Sequence, residues 1–181
     1  AVLAFDYRGW GDSDSRLVLR QEQPKPDVYG EATAKVQVIR ELVSPFDQLE
    51  DIQNAINFME GEPGIDRDRI GLWGTSFGGG LVVYTAANDP RVKCVVSQVG
   101  AQDGRPTPER AKEIGDIIEI HEREIKRSRG DEPAVPQGID LVEGLRGTPY
   151  IEMFAKYIPV DQASKVKVPT LLIDAEKEEL F

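Results

Sequence analysis

The stretch from residue 70 to residue 99 constrains the fold most, because its character changes from strand to helix and back to strand. Ile70–Trp73 is a short apolar run typical of a buried strand. Residues 78–87 are small and apolar, as in a buried helix, and Asn88-Asp89-Pro90 ends that helix. Val92–Val99 is rich in β-branched residues and predicts a second strand. A strand–helix–strand unit predicts parallel strands joined by a right-handed crossover.

Other segments extend this pattern. Val2–Phe5 predicts a short buried strand, and Val168–Ile173 predicts another near the end of the chain. Lys35–Val43 predicts no more than a turn or two of helix. Together with the unit at 70–99, these segments predict an α/β fold in which helices flank a mostly parallel sheet.

A longer helix is predicted over residues 45–60. Ser44 is a suitable capping residue, and Pro45 suits the first helical position. Apolar residues recur through the segment at helical spacing, at Leu49, Ile52, Ile56 and Met59. The helix is therefore expected to pack one face on the sheet.

Residues 101–165 break the alternation, because they are too long for one crossover. They contain a charged helical segment at 108–129, a Pro/Gly-rich turn at 133–138 and a second helical segment at 149–157. We interpret them as a helical cap inserted into one domain that spans 1–181. An apolar stripe in the charged segment is expected to face the sheet edge or another cap helix: Ile114, Ile117, Ile118 and Ile125. Because both ends of the chain fall within apolar runs, we expect the domain to be incomplete.

The composition of the chain excludes several classes of function and structure. Thirty-two acidic and 22 basic residues give a formal charge of −10, which argues against nucleic acid as a partner. The only cysteine is Cys94, so no intrachain disulfide is possible. The longest uncharged stretch, Ile70–Asn88, is too rich in glycine to predict a membrane helix, and no signal peptide is visible. A cytoplasmic location is favoured, no cofactor or metal is implied, and the sequence does not indicate an oligomeric state.

The motif that carries chemistry is Gly74-Thr75-Ser76-Phe77-Gly78, which matches G-x-S-x-G. It lies between a predicted strand and a predicted helix, as a nucleophile on a tight turn requires. Gly74 and Gly78 are expected to let neighbouring backbone pass without a Cβ clash. Ser76 then lies at a helix N-terminus, and the Phe77 N–H is placed to donate to an oxyanion. The alternative is a glycine-rich turn without chemistry.

On these residues the sequence resembles the α/β-hydrolases, nearest to the capped group of dienelactone hydrolases, acyl-esterases and Xaa-Pro-type serine peptidases. The resemblance rests on the segments Phe5–Ser13, Gly74–Gly80 and Val168–Ile173. In the first of these, Arg8 and Asp12 are expected either to shape a pocket mouth or, more simply, to make structural hydrogen bonds. Cys94 is interpreted as a small buried apolar residue.

The resemblance implies a triad acid on the loop after the last predicted strand. Matching the family pattern places it at Glu178, with Asp174 and Asp103 as alternatives. The only histidine, His121, precedes Glu178, whereas the order in this fold is Ser, acid, His. His121 is therefore interpreted as a cap residue. The resemblance implies a base beyond residue 181 and a second oxyanion donor before residue 1.

The sequence thus predicts a serine hydrolase that cleaves an ester, thioester or peptide-like acyl bond of a small-molecule substrate through an acyl-enzyme on Ser76. Residues 1–181 alone are expected to show little triad-dependent activity. Transfer of the acyl group to an acceptor other than water is left open. The rival interpretation is a non-catalytic homologue that binds a small ligand or a protein partner.

Overall fold

The computed structural model describes residues 1–105, 122, 125–126, 129, 131, 148–149 and 156–176. The helices and strands, in chain order, are β1 (Arg16–Leu19), β2 (Val36–Ile39), β3 (Leu42–Val43), α1 (Pro45–Gly61), β4 (Gly71–Thr75), α2 (Phe77–Asn88), β5 (Cys94–Gln98), β6 (Thr148–Pro149) and β7 (Thr170–Ile173). Two 3₁₀ helices, Arg67–Arg69 and Pro159–Lys165, complete the set.

The central sheet of the described chain has three parallel strands in the order β4-β5-β7. Gly71 lies opposite Cys94, and Val95 lies opposite Thr170. Helix α2 connects β4 to β5 and packs on both strands. The sequence-based prediction of an α/β fold with a parallel sheet is confirmed.

The core lies between the sheet and the two helices. Leu81 of α2 and Val95 of β5 are almost completely buried, as is Ile56 of α1. Burying a side chain of this size contributes about 1.5–3 kcal/mol. Helix α1 begins as predicted, at Pro45 directly after Ser44, although the Ser44 hydroxyl makes no capping hydrogen bond.

Two predictions about the first 43 residues are wrong. Val2–Phe5 forms no strand, and Val2 is 96% exposed. A strand needs a neighbour for its backbone groups, and no described strand pairs with this segment. Lys35–Val43 contains no helix: β2 pairs antiparallel with β1, with Leu17 opposite Val38, and β3 follows. The β-branched valines of this hairpin outweigh the weak helical pattern.

The loop at residues 6–13 is anchored to α1 by Arg8. Its backbone N–H and Nε donate to the Asp51 carboxylate at 2.9 and 2.7 Å, and its Nη2 donates to Glu50 at 2.6 Å. The Asp12 N–H donates to the Asp6 carboxylate at 3.1 Å. Arg8 and Asp12 therefore make structural hydrogen bonds, the second of the two expected roles.

The inserted cap falls largely on residues outside those described, so it stays a prediction. Of its apolar stripe, Ile125 is described and is 42% exposed, whereas Ile114, Ile117 and Ile118 lie outside the described residues, as does His121. The 3₁₀ helix at the end of this region packs on α2. Among the helices described, none has the length and apolar character that crossing a membrane requires.

Candidate active site

Ser76 lies between the end of β4 and the start of α2, and its backbone is strained. Its φ is 52° and its ψ is −122°, a conformation that residues with a Cβ rarely adopt. Such a conformation costs about 1–3 kcal/mol and persists only where the surroundings impose it. Ser76 is also exposed, so its hydroxyl is accessible at the carboxyl edge of the sheet.

Three backbone hydrogen bonds hold Ser76 in this conformation. Its N–H donates to the Gln98 carbonyl at 2.9 Å, at the end of β5. Its carbonyl accepts from the N–H groups of Gly79 and Ala101, both at 2.9 Å. The turn is therefore fixed from α2 on one side and from the loop after β5 on the other.

The glycines of the motif play unequal steric roles. A Cβ on Gly74 would overlap the carbonyl group of Gly78, so the close approach of β4 to α2 requires glycine at this position. A Cβ on Gly78 would meet no heavy atom within 4 Å among the described residues. The steric requirement that the sequence suggested at Gly78 is therefore absent from the described surroundings, because the space beside its Cα holds no described atom that a Cβ would contact.

Two further glycines let the segment after β5 approach α2 closely. A Cβ on Gly79 would come within 2.7 Å of the Gly100 Cα, and one on Gly80 would overlap the Ala101 carbonyl. Small residues at the start of α2 thus let the loop after β5 lie directly against the helix. The same loop supplies the Ala101 N–H that holds Ser76.

Phe77 is the first residue of α2, so its N–H lies in the positive end of the helix dipole. The Phe77 ring packs against Tyr157, with ring centroids 5.6 Å apart, and Tyr157 in turn packs against Tyr84 at 5.7 Å. Tyr157 is 1% exposed, and its burial raises the pKa of its hydroxyl. Through Phe77 and Tyr84, these ring contacts pack α2 against Tyr157.

Sequence reasoning missed a buried hydrogen-bond chain behind the turn. The Ser97 hydroxyl, on a residue only 2% exposed, donates to the Gly79 carbonyl at 3.0 Å. Gln102 Nε2 donates to the Ser97 hydroxyl at 2.9 Å. Val99, which lies between Ser97 and Gln102 in the sequence, has a φ of 41° and is, like Ser76, a non-glycine residue in a strained conformation. The one signal in the sequence was a serine directly after the apolar run Cys94-Val95-Val96.

Two of the three candidate acids, Asp103 and Asp174, lie on the loops that leave neighbouring strands. Asp103 follows β5, and the Arg105 guanidinium donates to it from Nε at 2.8 Å and from Nη2 at 2.5 Å. These hydrogen bonds hold the pKa of the Asp103 carboxyl below its usual value. Asp174 follows β7, is exposed, and accepts from the Ala175 N–H at 2.9 Å.

The parallel sheet brings these loops to one edge. The Val99 N–H donates to the Ile173 carbonyl at 2.6 Å, and the Ser76 N–H reaches Gln98. Ser76 and the first residues of both acid-bearing loops therefore share the carboxyl edge of the sheet, where ligands of open α/β sheets bind. Glu178 lies outside the described residues, so its assignment as the acid stays a prediction. In the part of the chain that the structure describes, no group of three acidic, histidine or cysteine side chains could hold a metal ion.

The family follows from a match over most of the chain. Residues 48–179 match the family model described as BAAT / acyl-CoA thioester hydrolase C terminal. The chain belongs to this family. The match includes the strand, turn and helix that carry Ser76, together with all three candidate acids.

The chain is also similar to individual proteins. An uncharacterised 31.7 kDa protein from Escherichia coli is 34% identical over 98% of the chain, and the chain spans 62% of that relative's length. Thiohydrolase aneE from Aspergillus aculeatus is 34% identical over 54% of the chain and 24% of its own length.

A solved structure extends the agreement to the fold. The crystal structure of the α/β hydrolase GrgF from a Penicillium species has a TM-score of 0.57 at 19% identity, covering 76% of this chain and 55% of that one. GrgF is named a polyketide transferase. The chain therefore has the α/β-hydrolase fold, as its resemblance to those enzymes implied, within the acyl-CoA thioester hydrolase family.

Proposed function

We propose that the full-length protein hydrolyses an acyl thioester or ester through an acyl-enzyme on Ser76. The observation that carries the proposal is the strained and exposed conformation of Ser76 on a strand-to-helix turn. Strain that three backbone hydrogen bonds maintain is typical of functional positions. The family description and the name of the thiohydrolase relative support acyl thioesters as the substrate class.

In this mechanism the Ser76 hydroxyl oxygen attacks the acyl carbon while a histidine base takes its proton. The carbonyl oxygen becomes an oxyanion, which the Phe77 N–H stabilises from the N-terminus of α2. Collapse breaks the bond to the thiol or alcohol, which leaves with the proton from the histidine. Water, activated by the same base, then releases the acid and restores Ser76.

The remaining groups are assigned by the resemblance to α/β-hydrolases. Glu178 orients the histidine and stabilises its charged form. His121 precedes Glu178, so the base is proposed to be another histidine of the full-length protein, outside residues 1–181. The chain covers 62% of its E. coli relative, so the activity is proposed for the full-length protein.

Acyl-CoA hydrolysis by the full-length protein tests the substrate class. With a short-chain acyl-CoA, we expect free thiol to appear faster than in protein-free buffer, and Ser76→Ala to reduce release to background. Ser164→Ala, which changes an exposed serine of the 3₁₀ helix at 159–165, is the matched control and should keep wild-type turnover. Equal thiol release by the wild type and Ser76→Ala would contradict the proposal.

Acyl transfer is a second candidate, favoured by the name of GrgF as a polyketide transferase. Both reactions share the acyl-enzyme and differ in the nucleophile that removes the acyl group. The mass of the acyl product separates them: hydrolysis gives the free acid, whereas transfer to an added alcohol or amine gives the corresponding ester or amide.

A further inference from the structure

The segment directly after β5 supplies two of the three backbone hydrogen bonds that hold Ser76. The Gln98 carbonyl accepts from the Ser76 N–H, and the Ala101 N–H donates to the Ser76 carbonyl, both at 2.9 Å. The conformation of residues 98–101 therefore sets where the backbone of Ser76 lies. A group that fixes this segment also fixes the Ser76 hydroxyl relative to the Phe77 N–H.

This segment needs restraints, because Val99 has a φ of 41°. A β-branched residue with a positive φ is an outlier, and its conformation persists only where neighbouring groups impose it. One restraint is the Val99 N–H, which donates to the Ile173 carbonyl of β7 at 2.6 Å. That bond fixes Val99 to the sheet, but it does not fix Gly100 and Ala101, through which the segment reaches Ser76.

The second restraint is the side chain of Gln102, a half-buried residue. Its Nε2 donates to the Ser97 hydroxyl at 2.9 Å, so the side chain ties the end of the segment back to β5. Ser97 is 2% exposed, and its hydroxyl donates in turn to the Gly79 carbonyl of α2 at 3.0 Å. The backbone carbonyl of Gln102 accepts from the Val160 N–H at 2.8 Å, which also anchors Gln102 to the 3₁₀ helix at 159–165.

Two glycines leave room for this chain of hydrogen bonds. A Cβ on Gly100 would overlap both Gln102 Nε2 and the Ser97 hydroxyl, so the amide lies directly against the Gly100 backbone. A Cβ on Gly79 would come within 2.9 Å of the Ser97 hydroxyl. The chain from Gln102 to α2 is therefore part of the close packing behind the turn and not a contact at the surface.

We propose that Gln102 is a positioning residue for Ser76. Through Ser97, its side-chain amide fixes residues 98–101, whose backbone groups hold Ser76 in its strained conformation. Gln102 transfers no proton and touches no reacting atom. Its effect on catalysis rests on the proposed function of Ser76 as the nucleophile, whereas its effect on the backbone does not.

Acyl-CoA kinetics on full-length Gln102→Leu test the effect on catalysis. Leucine is similar in size and has no donor, so the segment loses its tie to Ser97. We expect kcat to fall by about 10–100-fold, because a small displacement of a nucleophile costs that much. KM should stay within about twofold of wild type, because the Gln102 amide is directed at the buried Ser97 and not at the substrate.

The matched control is Gln162→Leu, the same change at another half-buried glutamine, whose Oε1 accepts from Lys165 Nζ at 2.6 Å. It should keep the wild-type kcat. A kcat for Gln102→Leu less than about fivefold below wild type would overturn the inference, even if the variant melts at a lower temperature. A KM raised as much as kcat is lowered would also overturn it, because Gln102 would then contribute to substrate binding.

A double-mutant cycle tests whether Gln102 acts through Ser97. If the two side chains form one chain, Ser97→Ala combined with Gln102→Leu should lower kcat no further than the more damaging of the two single variants. Losses that multiply in the double variant would show independent roles and overturn the proposed route.

Amide hydrogen exchange gives a test that does not depend on catalysis. We expect the Ala101 amide to exchange at least about tenfold faster in Gln102→Leu than in the wild type, because its bond to Ser76 is no longer held in place. The amides of Thr85 and Ala86, buried within α2, are the reference and should be unchanged. Equal exchange at Ala101 in the two proteins would overturn the inference.

The two measurements separate the inference from the proposed function. If the wild-type protein releases no thiol, the proposed function fails, and the exchange of the Ala101 amide alone decides whether Gln102 positions the turn. If Gln102→Leu does not fold, Gln102→Glu replaces it in both experiments. A glutamate has the same length, and its ionised carboxylate cannot donate to Ser97.

Discussion

Replacing Ser76 by alanine in the full-length protein should lower kcat by about 10⁴-fold or more, while the protein stays folded. Free serine is a weak nucleophile, so the loss of its oxygen removes the whole covalent route, as triad knockouts in other hydrolases do. The three backbone hydrogen bonds of Ser76 do not involve its side chain, so the turn should persist. Steady-state kinetics with an acyl-CoA and a thermal melt measure the two effects.

A second substitution separates chemistry from strain. Ser76→Gly also removes the hydroxyl, but glycine adopts a φ of 52° without steric cost. It should therefore be as inactive as Ser76→Ala and more stable than it by about 1 kcal/mol. A kcat for Ser76→Ala within tenfold of wild type would contradict the role of Ser76.

Substituting Gly74 should have the largest effect on stability. Even the single methyl group of Gly74→Ala would overlap the Gly78 carbonyl, so β4 and α2 would have to separate at the turn. We expect a loss of at least about 3 kcal/mol in the free energy of unfolding, with activity lost as the turn distorts.

The matched control is Gly78→Ala, in the same motif. Its Cβ meets no described atom within 4 Å, and alanine is favoured over glycine in a helix by about 0.8–1 kcal/mol. We therefore expect Gly78→Ala to be neutral or stabilising. Denaturant unfolding of both variants measures the difference, and similar losses at the two positions would show that the close approach of β4 and α2 is not confined to Gly74.

The unit at 70–99 was predictable because its information is local. A short apolar strand, a glycine-rich turn and a small-residue helix follow one another within the span of a single crossover, and each has its own pattern. Helix α1 was predictable for the same reason, from Ser44-Pro45 and the spacing of its buried residues. In both cases hydrophobic periodicity and end signals agree.

The hairpin of β1 and β2 was missed because its pairing is not local. Sixteen residues, 20–35, separate the two strands, and that loop contains two prolines and no short hairpin-turn signal next to the strands. Val2–Phe5 was wrongly predicted to form a strand, again because strand pairing is not local. Its apolar sequence suits a strand, but a strand also needs a paired neighbour, which local sequence does not specify.

The sequence predicted the position of the nucleophile motif, but it did not predict the hydrogen bonds that support the turn. G-x-S-x-G indicated the position of Ser76, but the motif is symmetric in sequence while the steric demand falls on Gly74. The hydrogen bonds from Gln102 to Ser97 and on to Gly79 depend on how the loop after β5 folds back over α2. Such tertiary contacts leave no periodic trace in a sequence.

The central claim, that Ser76 is the nucleophile, is tested most directly by labelling the full-length protein with a fluorophosphonate probe and mapping the modified peptide. The probe reacts with an activated serine, so it reports the acyl-accepting residue without knowledge of the substrate. We predict a single covalent adduct on Ser76, absent in Ser76→Ala and retained in Ser164→Ala. An adduct on Ser97, Ser164 or any other residue, or no adduct in the folded full-length protein, would contradict the assignment.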